Sequence, residues 1–479
     1  MSLTAVLPVA AAAALAMGRA PNDDVRAGAV EVEGQRIPYR LVVPAEIEPG
    51  RAYPLVLFLH GAGERGDDNE TQLVHFPVRM MTPDRRASMP CFVLAPQCPG
   101  NDRWTTADWG SKTSSPMSAE PTVPMRGAIE ALFEVVASEP IDTSRIYLTG
   151  LSMGGYGAFD LATRHPDWFA AVAPVCGGGD ERQAGRLAGL PISVWHGDAD
   201  RAVPVERSRQ MVAALRALGE DPEYRELEGV GHDAWNHAYE ANGCLEWMFE
   251  QRRDPRRRLA SAARLMAGAL ADTDRVAFFG DSITESGAKA GGYVDLLRSA
   301  LAEHRPSVGV IPAGISGHRV PDLLAREKAD VRDEGATIVF TYIGINDVWH
   351  SLSGGGTPLG EYASGLDKLL GTLERRGGAL NVVATPTLIG ELPEGKNELD
   401  RMLFDYVAAA RRAAGPEKRT LCDLHVAFRD HVRVFHSDRK ADRGCLTTDG
   451  VHLNEAGNVL VATEAALAIR TAALARPRK

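Results

Sequence analysis

RIYLTGLSMGGYGAFDLATRH, residues 145–165, decides the reading of the first half of the chain. A short β-rich run, RIYLTG, ends in glycine, and a helical pattern, YGAFDLATRH, follows at once. Between them lies Gly150-Leu151-Ser152-Met153-Gly154, a G-x-S-x-G sequence where a strand meets a helix, the context a nucleophile elbow requires. The glycines permit a tight turn, the serine is lifted above the sheet, and the N–H of Met153 is aimed at a developing oxyanion. A bare G-x-S-x-G is common by chance, so partners are needed. HGAGERG, residues 60–66, follows the strand-like YPLVLFL and supplies glycine-rich backbone, with Ala62 the candidate for the second oxyanion N–H. HGDADRAVP carries Asp198 and Asp200, and GVGHDAW carries His232. A serine hydroxyl is a weak nucleophile near neutral pH. His232 in this order would take its proton and return it to the leaving group, while an aspartate holds the imidazole in one tautomer. The bland alternative is a glycine turn around an inert serine, and the four-part agreement disfavours it.

Working outward from that turn, YPLVLFLHG, CFVLAPQ, AAVAPVCG and PISVWHG alternate with helical stretches such as RGAIEALFEVVAS. This alternation predicts a parallel sheet with helices on both faces. LHGAGERG, APQCPGNDRW, GLSMGGYG, the Asp200-x-x-Val203-Pro204 stretch and GHDAW together resemble the α/β-hydrolase superfamily. Within it they resemble the small esterases related to carboxylesterases, dienelactone hydrolases and feruloyl or acetylxylan esterases, a group also described as predicted peptidases. The resemblance implies Asp200 as the triad acid and Asp198 as a loop-capping residue. Only some fifteen residues separate Cys176 from Pro191, so no large cap domain is expected and the site should be open. His75, Trp104 and Trp109 are candidates to line the cleft or simply to pack.

The next stretch, EQRRDPRRRLASAARLMAGALADTD, holds a dense arginine cluster at residues 252–258 around Pro255. It reads as a solvated linker leading into a short helix, because charge runs are usually solvated faces. A second alternating set then follows: RVAFFGDS, SVGVIPAG, TIVFTYIGIND, NVVATPTL and RTLCDLHVAF. Gly280-Asp281-Ser282 closes the first of these. TTDGVHLNEAG brings Asp449 and His452 at a D-x-x-H spacing, close enough to converge on one site. AGISGH with Gly317 and YIGIND with Gly344 and Asn346 close strands between them, where catalytic groups collect in open α/β sheets. This ordered quartet resembles the GDSL, or SGNH, hydrolase family across essentially the whole second half. The resemblance implies Ser282 as nucleophile, His452 as base and Asp449 as its orienting acid. The Ser282 N–H, the Gly317 N–H and the Asn346 side-chain amide would form the oxyanion hole. Pro312, where family members often carry Asn, is a departure expected to affect a loop.

The expected architecture is therefore α/β in two domains: an α/β-hydrolase fold followed by a flavodoxin-like three-layer α/β/α hydrolase fold. The boundaries expected are 1–25 for a leader or frayed extension, 26–250, a linker at 251–273, and 274–479. The chain of 479 residues is long enough for two or three domains at about 150 residues each. A formal charge of −10 argues against a nucleic-acid binder. Six cysteines without a CxxC pair argue against a zinc ribbon or thioredoxin-type site. They leave Cys91–Cys98 or Cys422–Cys445 as candidate disulfides beside the reading of buried thiols. The apolar stretch at 3–17 is short for a membrane span and suits a signal-peptide core, although no Lys or Arg precedes it. Periplasmic or secreted placement is expected on that ground, with a cytoplasmic chain as the alternative. No other segment reads as membrane-inserting. His318, His350, His425 and His436 lack metal-ligand spacing and no HExxH occurs, so neither metal nor cofactor is expected. Two serines in one chain imply two ester hydrolases. An acylated carbohydrate is the expected substrate class, and oligomeric state is left open. The rival readings are a lipase, lysophospholipase or thioesterase, a peptidase, or one working esterase beside a non-catalytic binding domain.

Overall fold

The computed structural model describes residues 24–415 and 419–476. The expected leader, 1–25, lies almost wholly outside the described residues. Two separate sheets account for the two alternating sequence sets. The first has eight strands: β1 (Val25–Val32), β2 (Gln35–Val42), β3 (Tyr53–Leu59), β4 (Phe92–Pro96), β5 (Ile141–Leu151), β6 (Ala171–Val175), β7 (Ser193–Gly197) and β8 (Glu223–Leu227). Their order is β1-β2-β4-β3-β5-β6-β7-β8, antiparallel from β1 to β4 and parallel from β4 onward. All seven residues of β3 are buried, as expected of a central strand covered on both faces. Successive side chains of a strand face opposite ways. Leu55, Leu57 and Leu59 accordingly enter one apolar core and Val56 and Phe58 the other.

The second sheet has five parallel strands, β9 (Arg275–Gly280), β10 (Gly309–Gly314), β11 (Ile338–Tyr342), β12 (Leu380–Ala384) and β13 (Thr420–Cys422), in the order β10-β9-β11-β12-β13. One continuous core surrounds it. Helix Glu455–Leu474 is long and apolar enough to cross a membrane, yet 72% of its apolar window is buried inside this domain. Three expectations need correction here. RTLCDLHVAF is a strand only at Thr420–Cys422. Asp423 then caps a helix, Leu424–Phe435, by accepting from the Val426 N–H. Pro312 lies inside β10 rather than in a loop. β10 is an edge strand, where a missing N–H costs no ladder bond. All six cysteines are free thiols, five of them buried, and neither candidate disulfide forms.

The largest correction concerns the arginine cluster. It leads into a helix as expected, and Arg252, Arg256 and Arg257 are exposed, but Arg253 and Arg258 are not solvated. Asp254 caps a helix over Pro255–Ala269, whose Leu259, Ala262, Ala263 and Met266 belong to the second core and which packs against helix Glu455–Leu474. Arg258 is 4% exposed. Its Nε donates to Asp167 at 2.6 Å, and its Nη1 donates to the carbonyls of Arg186 and Ala188 at 3.1 and 2.7 Å. All three acceptors belong to the first domain. Arg253 lies over the Phe435 ring, Arg264 pairs with Glu220 at 2.7 Å, and Arg433 pairs with Glu130 while stacking on Phe133. The arginines thus fasten one domain to the other, because buried carbonyls and a buried carboxylate need donors. Removing one partner of a buried pair leaves the other charge uncompensated, at a cost of about 3–5 kcal/mol. Arg258→Ala is accordingly expected to lower the urea midpoint of the whole chain by an amount matching that loss. An unchanged midpoint would mean the seam contributes nothing.

Candidate functional site

The end of β5 delivers Ser152 to helix Met153–Arg164. Ser152 sits at φ 55°, ψ −119°, a conformation that L-residues adopt only where the surroundings over-determine it. Gly154 is required for close approach, since a Cβ there would run into the Leu59 carbonyl of β3. The Ser152 hydroxyl donates to His232 Nε2 at 2.8 Å, and His232 Nδ1–H donates to Asp200 Oδ2 at 2.6 Å. Asp198 stands apart and accepts the Gly229 N–H at 2.7 Å. Met153 opens its helix, so its N–H is one of the first-turn donors without an intrahelical acceptor. Ala62 begins a 3-10 turn at Ala62–Glu64, and the preceding Gly61 faces the serine: a Cβ on Gly61 would lie 3.6 Å from Ser152 Cβ.

The Asp200 side chain is fully buried. Burial works to raise its pKa. Hydrogen bonds from His196, His232 and the Val203 N–H outweigh that and hold the carboxyl well below the usual range. Its Oδ1 accepts the Ala202 and Val203 N–H groups at 2.8 and 2.9 Å. His196 was missed by sequence reasoning. Its Nε2 faces two acceptors, the Val203 carbonyl at 3.0 Å and Asp200 Oδ2 at 3.3 Å, so that nitrogen carries the proton. Ser208 Oγ lies 2.7 Å from the other nitrogen. His196 adjoins Gly197 and Asp198 in the motif that was read, but nothing in that motif says where its ring points. Cys176, His196 and Asp200 form the one metal-like grouping among the described residues, with ligand atoms within 4.8 Å of one another. Asp200 is already filled by donors there, and burial pushes the Cys176 thiol up, which does not suit a metal ligand. Trp104 is not a cleft residue. It is completely buried, with its indole N–H donating to the His60 carbonyl at 3.0 Å. Trp109 is half-buried beneath Arg103.

The second group forms at the carboxyl end of β9. Asp281 caps helix Ser282–Gly287 by accepting the Ile283 N–H at 2.9 Å, which leaves the Ser282 N–H free at the helix start. Ser282 Oγ lies 3.0 Å from His452 Nε2, and His452 Nδ1–H donates to Asp449 Oδ2 at 2.7 Å. The Asp449 side chain is 43% exposed, against none for Asp200. Gly317 has φ +79°, a left-handed conformation that favours glycine. Asn346 Nδ2 spends one hydrogen on the His318 carbonyl at 3.0 Å, which fixes the amide and leaves its second hydrogen available. Burial pushes the Asp281 carboxyl up to about 7 and that of Asp347 to about 6.

Two residues that no motif flagged hold this second group in place. Arg326 donates to the carbonyls of Gly280 and Ala313 at 2.8 and 3.0 Å and to His318 Nδ1 at 3.0 Å, with its guanidinium over Phe279. It thereby ties the strand end before Ser282 to the loop after Gly317. Glu391 is buried, 1% exposed. Its Oε1 accepts the Leu446 and Thr447 N–H groups and the Thr447 hydroxyl at 2.7–2.8 Å, and its Oε2 accepts the Cys445 N–H at 2.7 Å. That carboxylate fixes the loop that leads directly into Asp449 and His452. Glu391→Ala would strand four donors, and a misplacement on the order of 1 Å costs about 100-fold. Hydrolysis by the Ser282 site, read in a Ser152→Ala chain, is expected to fall by that order. Glu391→Gln, which keeps one acceptor oxygen, is expected to recover part of it.

Residues 43–241 match the phospholipase/carboxylesterase family, and residues 278–460 match the GDSL-like lipase/acylhydrolase family. The chain thus joins two α/β hydrolase units, each of which matches an ester-hydrolase family. An acetylxylan esterase of Geobacillus stearothermophilus is 29% identical over 211 residues, 40% of this chain and 90% of that protein. A curated relative from Nocardia uniformis subsp. tsuyamanensis is 27% identical over 40% of this chain, which spans only 54% of that relative. The crystal structure of a thermostable esterase is 42% identical, covering 48% of this chain and 64% of its own, with a TM-score of 0.45.

Proposed function

We propose that the chain is a tandem serine ester hydrolase with two independent Ser-His-Asp sites, acting on acylated polysaccharides or oligosaccharides. The observation that carries this reading is the pair of hydrogen-bonded relays, Ser152–His232–Asp200 and Ser282–His452–Asp449. In each, the histidine takes the serine proton as the oxygen attacks the ester carbonyl. The tetrahedral oxyanion is received by the N–H groups of Ala62 and Met153 in one site. In the other it is received by the Ser282 and Gly317 N–H groups and the Asn346 amide. The protonated histidine then gives its proton to the departing alkoxide, leaving an acyl-serine. Water, deprotonated by the same histidine, attacks that ester, and the serine leaves with the returned proton as the acid is released. No step calls for a cofactor. For the Ser282 site the glycan reading is supported by the acetylxylan esterase likeness, since that enzyme's catalytic serine lies early in its chain and its catalytic aspartate and histidine are three residues apart, as Asp449 and His452 are. It is also supported by histidines that are about one-third exposed, 28% for His232 and 33% for His452, as an open site for a bulky substrate needs. Linking two sites raises the effective concentration of one near a polymer held by the other.

Release of p-nitrophenol from its acetate ester tests the two-site reading. The intact chain, Ser152→Ala, Ser282→Ala and the double variant are compared. Each single variant is expected to keep part of the activity and the double variant to lose it. If one single variant abolished all turnover, the other site would not be a working esterase for this ester. Acid release from acetylated xylo-oligosaccharides tests the substrate class, and no release by either site would overturn it.

A further inference from the structure

Three residues rim the Ser152 site without belonging to its relay. Trp235 stands edge-on to the His232 ring, with centroids 5.3 Å apart at 85°, and is half-buried. His75 lies 5.2 Å from Trp235, ring to ring. Its backbone is held at φ 72°, ψ −99°, a strained conformation of the kind that collects at ligand sites. Glu64 Oε1 lies 3.6 Å from His75 Nε2. Glu64 then returns to the nucleophile, because a Cβ on Gly61 would lie 2.9 Å from Glu64 Oε2 and 3.6 Å from Ser152 Cβ. Contacts therefore close a ring: Ser152, His232, Trp235, His75, Glu64 and back past Gly61. Glu64 Oε2 is buried and has no hydrogen-bond partner among the described residues. A buried carboxylate oxygen left unmatched is costly and rare. Burial works to raise the Glu64 pKa, but the His75 hydrogen bond and the charges of His60 and His75 outweigh it, so the group is an anionic acceptor.

We infer that Glu64, His75 and Trp235 form the subsite for the alcohol portion of the ester and that this portion is a sugar ring. The inference rests on the glycan reading above, whose acetylxylan esterase likeness lies on the second domain, and extends that reading to named side chains of the first domain. The Glu64 side chain keeps 14% of its surface exposed beside His75, and an ionised carboxylate there accepts a hydroxyl hydrogen in a strong charge-assisted bond. His75 offers a second polar contact beside it. The exposed part of the Trp235 indole supplies an apolar platform for the C–H face of the ring. A fatty alcohol or acyl chain would satisfy none of the polar pair and would leave Glu64 desolvated and unmatched. Trp235 adjoins the base, so a ring seated there presents its acylated oxygen to His232, the proton donor for that leaving group.

The test uses the full chain carrying Ser282→Ala, so that only the Ser152 site reports. It compares kcat/KM on acetylated xylo-oligosaccharides with kcat/KM on p-nitrophenyl acetate, which has no sugar. Glu64→Gln and Trp235→Leu are each expected to lower the sugar-to-nitrophenyl ratio by about 10- to 100-fold, the loss of one hydrogen bond to a charged group or one stacked ring. The sugar loss should sit mainly in KM. An unchanged ratio in both variants, with sugar acetates still turned over by the parent, would overturn this inference alone, and so would equal falls on the two substrates, the mark of a merely structural role. If the parent chain cleaved p-nitrophenyl acetate but no acetylated sugar, the glycan reading would fail at this site and the inference with it.

Discussion

Ser152→Ala combined with Ser282→Ala is expected to lower kcat on p-nitrophenyl acetate about a million-fold. The size follows from the relay. Without the hydroxyl there is no acyl-enzyme, and what remains is binding and the oxyanion donors, which accelerate direct attack by water far less. The single variants behave differently, because the two serines share no residue: one relay is built from β5, β7 and the loop after β8, the other from β9 and the loop before helix Glu455–Leu474. Activities of independent sites add. The fraction lost in Ser152→Ala and the fraction lost in Ser282→Ala should therefore sum to the activity of the parent. A sum well above the parent activity would mean that one site depends on the other.

Asp200→Asn, read in the Ser282→Ala chain, is expected to lower kcat about 10,000-fold. An amide at that position would offer His232 Nδ1 either the wrong partner or a neutral one, so the imidazole would lose both its tautomer and its counter-charge. The Asp200 side chain is fully buried, so water cannot replace the carboxylate. Asp449→Asn in the Ser152→Ala chain is expected to cost less, about 100-fold, near the low end for acid–base assistance. Asp449 is 43% exposed, and solvent can stabilise part of the imidazolium charge there. Equal losses would show that burial of the acid does not matter. The same contrast should appear in acid. A carboxyl held below its unfolded value adds stability above the ordinary carboxylate range, and that stability is lost as pH falls through the folded value. Asp200→Asn should remove this contribution and flatten the acid limb of a stability-against-pH curve measured by urea unfolding.

Much of both relays could be read from the chain because the groups sit in short motifs at strand ends. Ser152 and Asp200 follow the apolar runs of β5 and β7, and His232 follows the polar strand EYREL of β8. Ser282 and the Asp449–His452 pair bracket the second set. What could not be read is what meets across long sequence separations. Arg258 looked solvated because its acceptors, Asp167 and the carbonyls of Arg186 and Ala188, lie some 70–91 residues away in the other domain. Glu391 lies in a loop with no pattern, and its four donors are 54–56 residues downstream. His196 stood within a motif already in view, yet only folding turns its imidazole onto Asp200. The stretch after Cys422 is apolar enough to pass for strand, and Asp423 decides for helix by capping it.

Helix Pro255–Ala269 has a consequence for how such a protein can be taken apart or recombined. It begins on the carboxylate of Asp254, fills the second core with its apolar face, and plugs the first domain with Arg258. Cutting the chain before this helix would empty a socket in the domain ahead of it, and cutting after it would strip a core layer from the domain behind. Neither half can be traded as a free cassette by crossing over between them. The two domains are therefore expected to fold and unfold together, with their spacing set by packing rather than by the length of a tether.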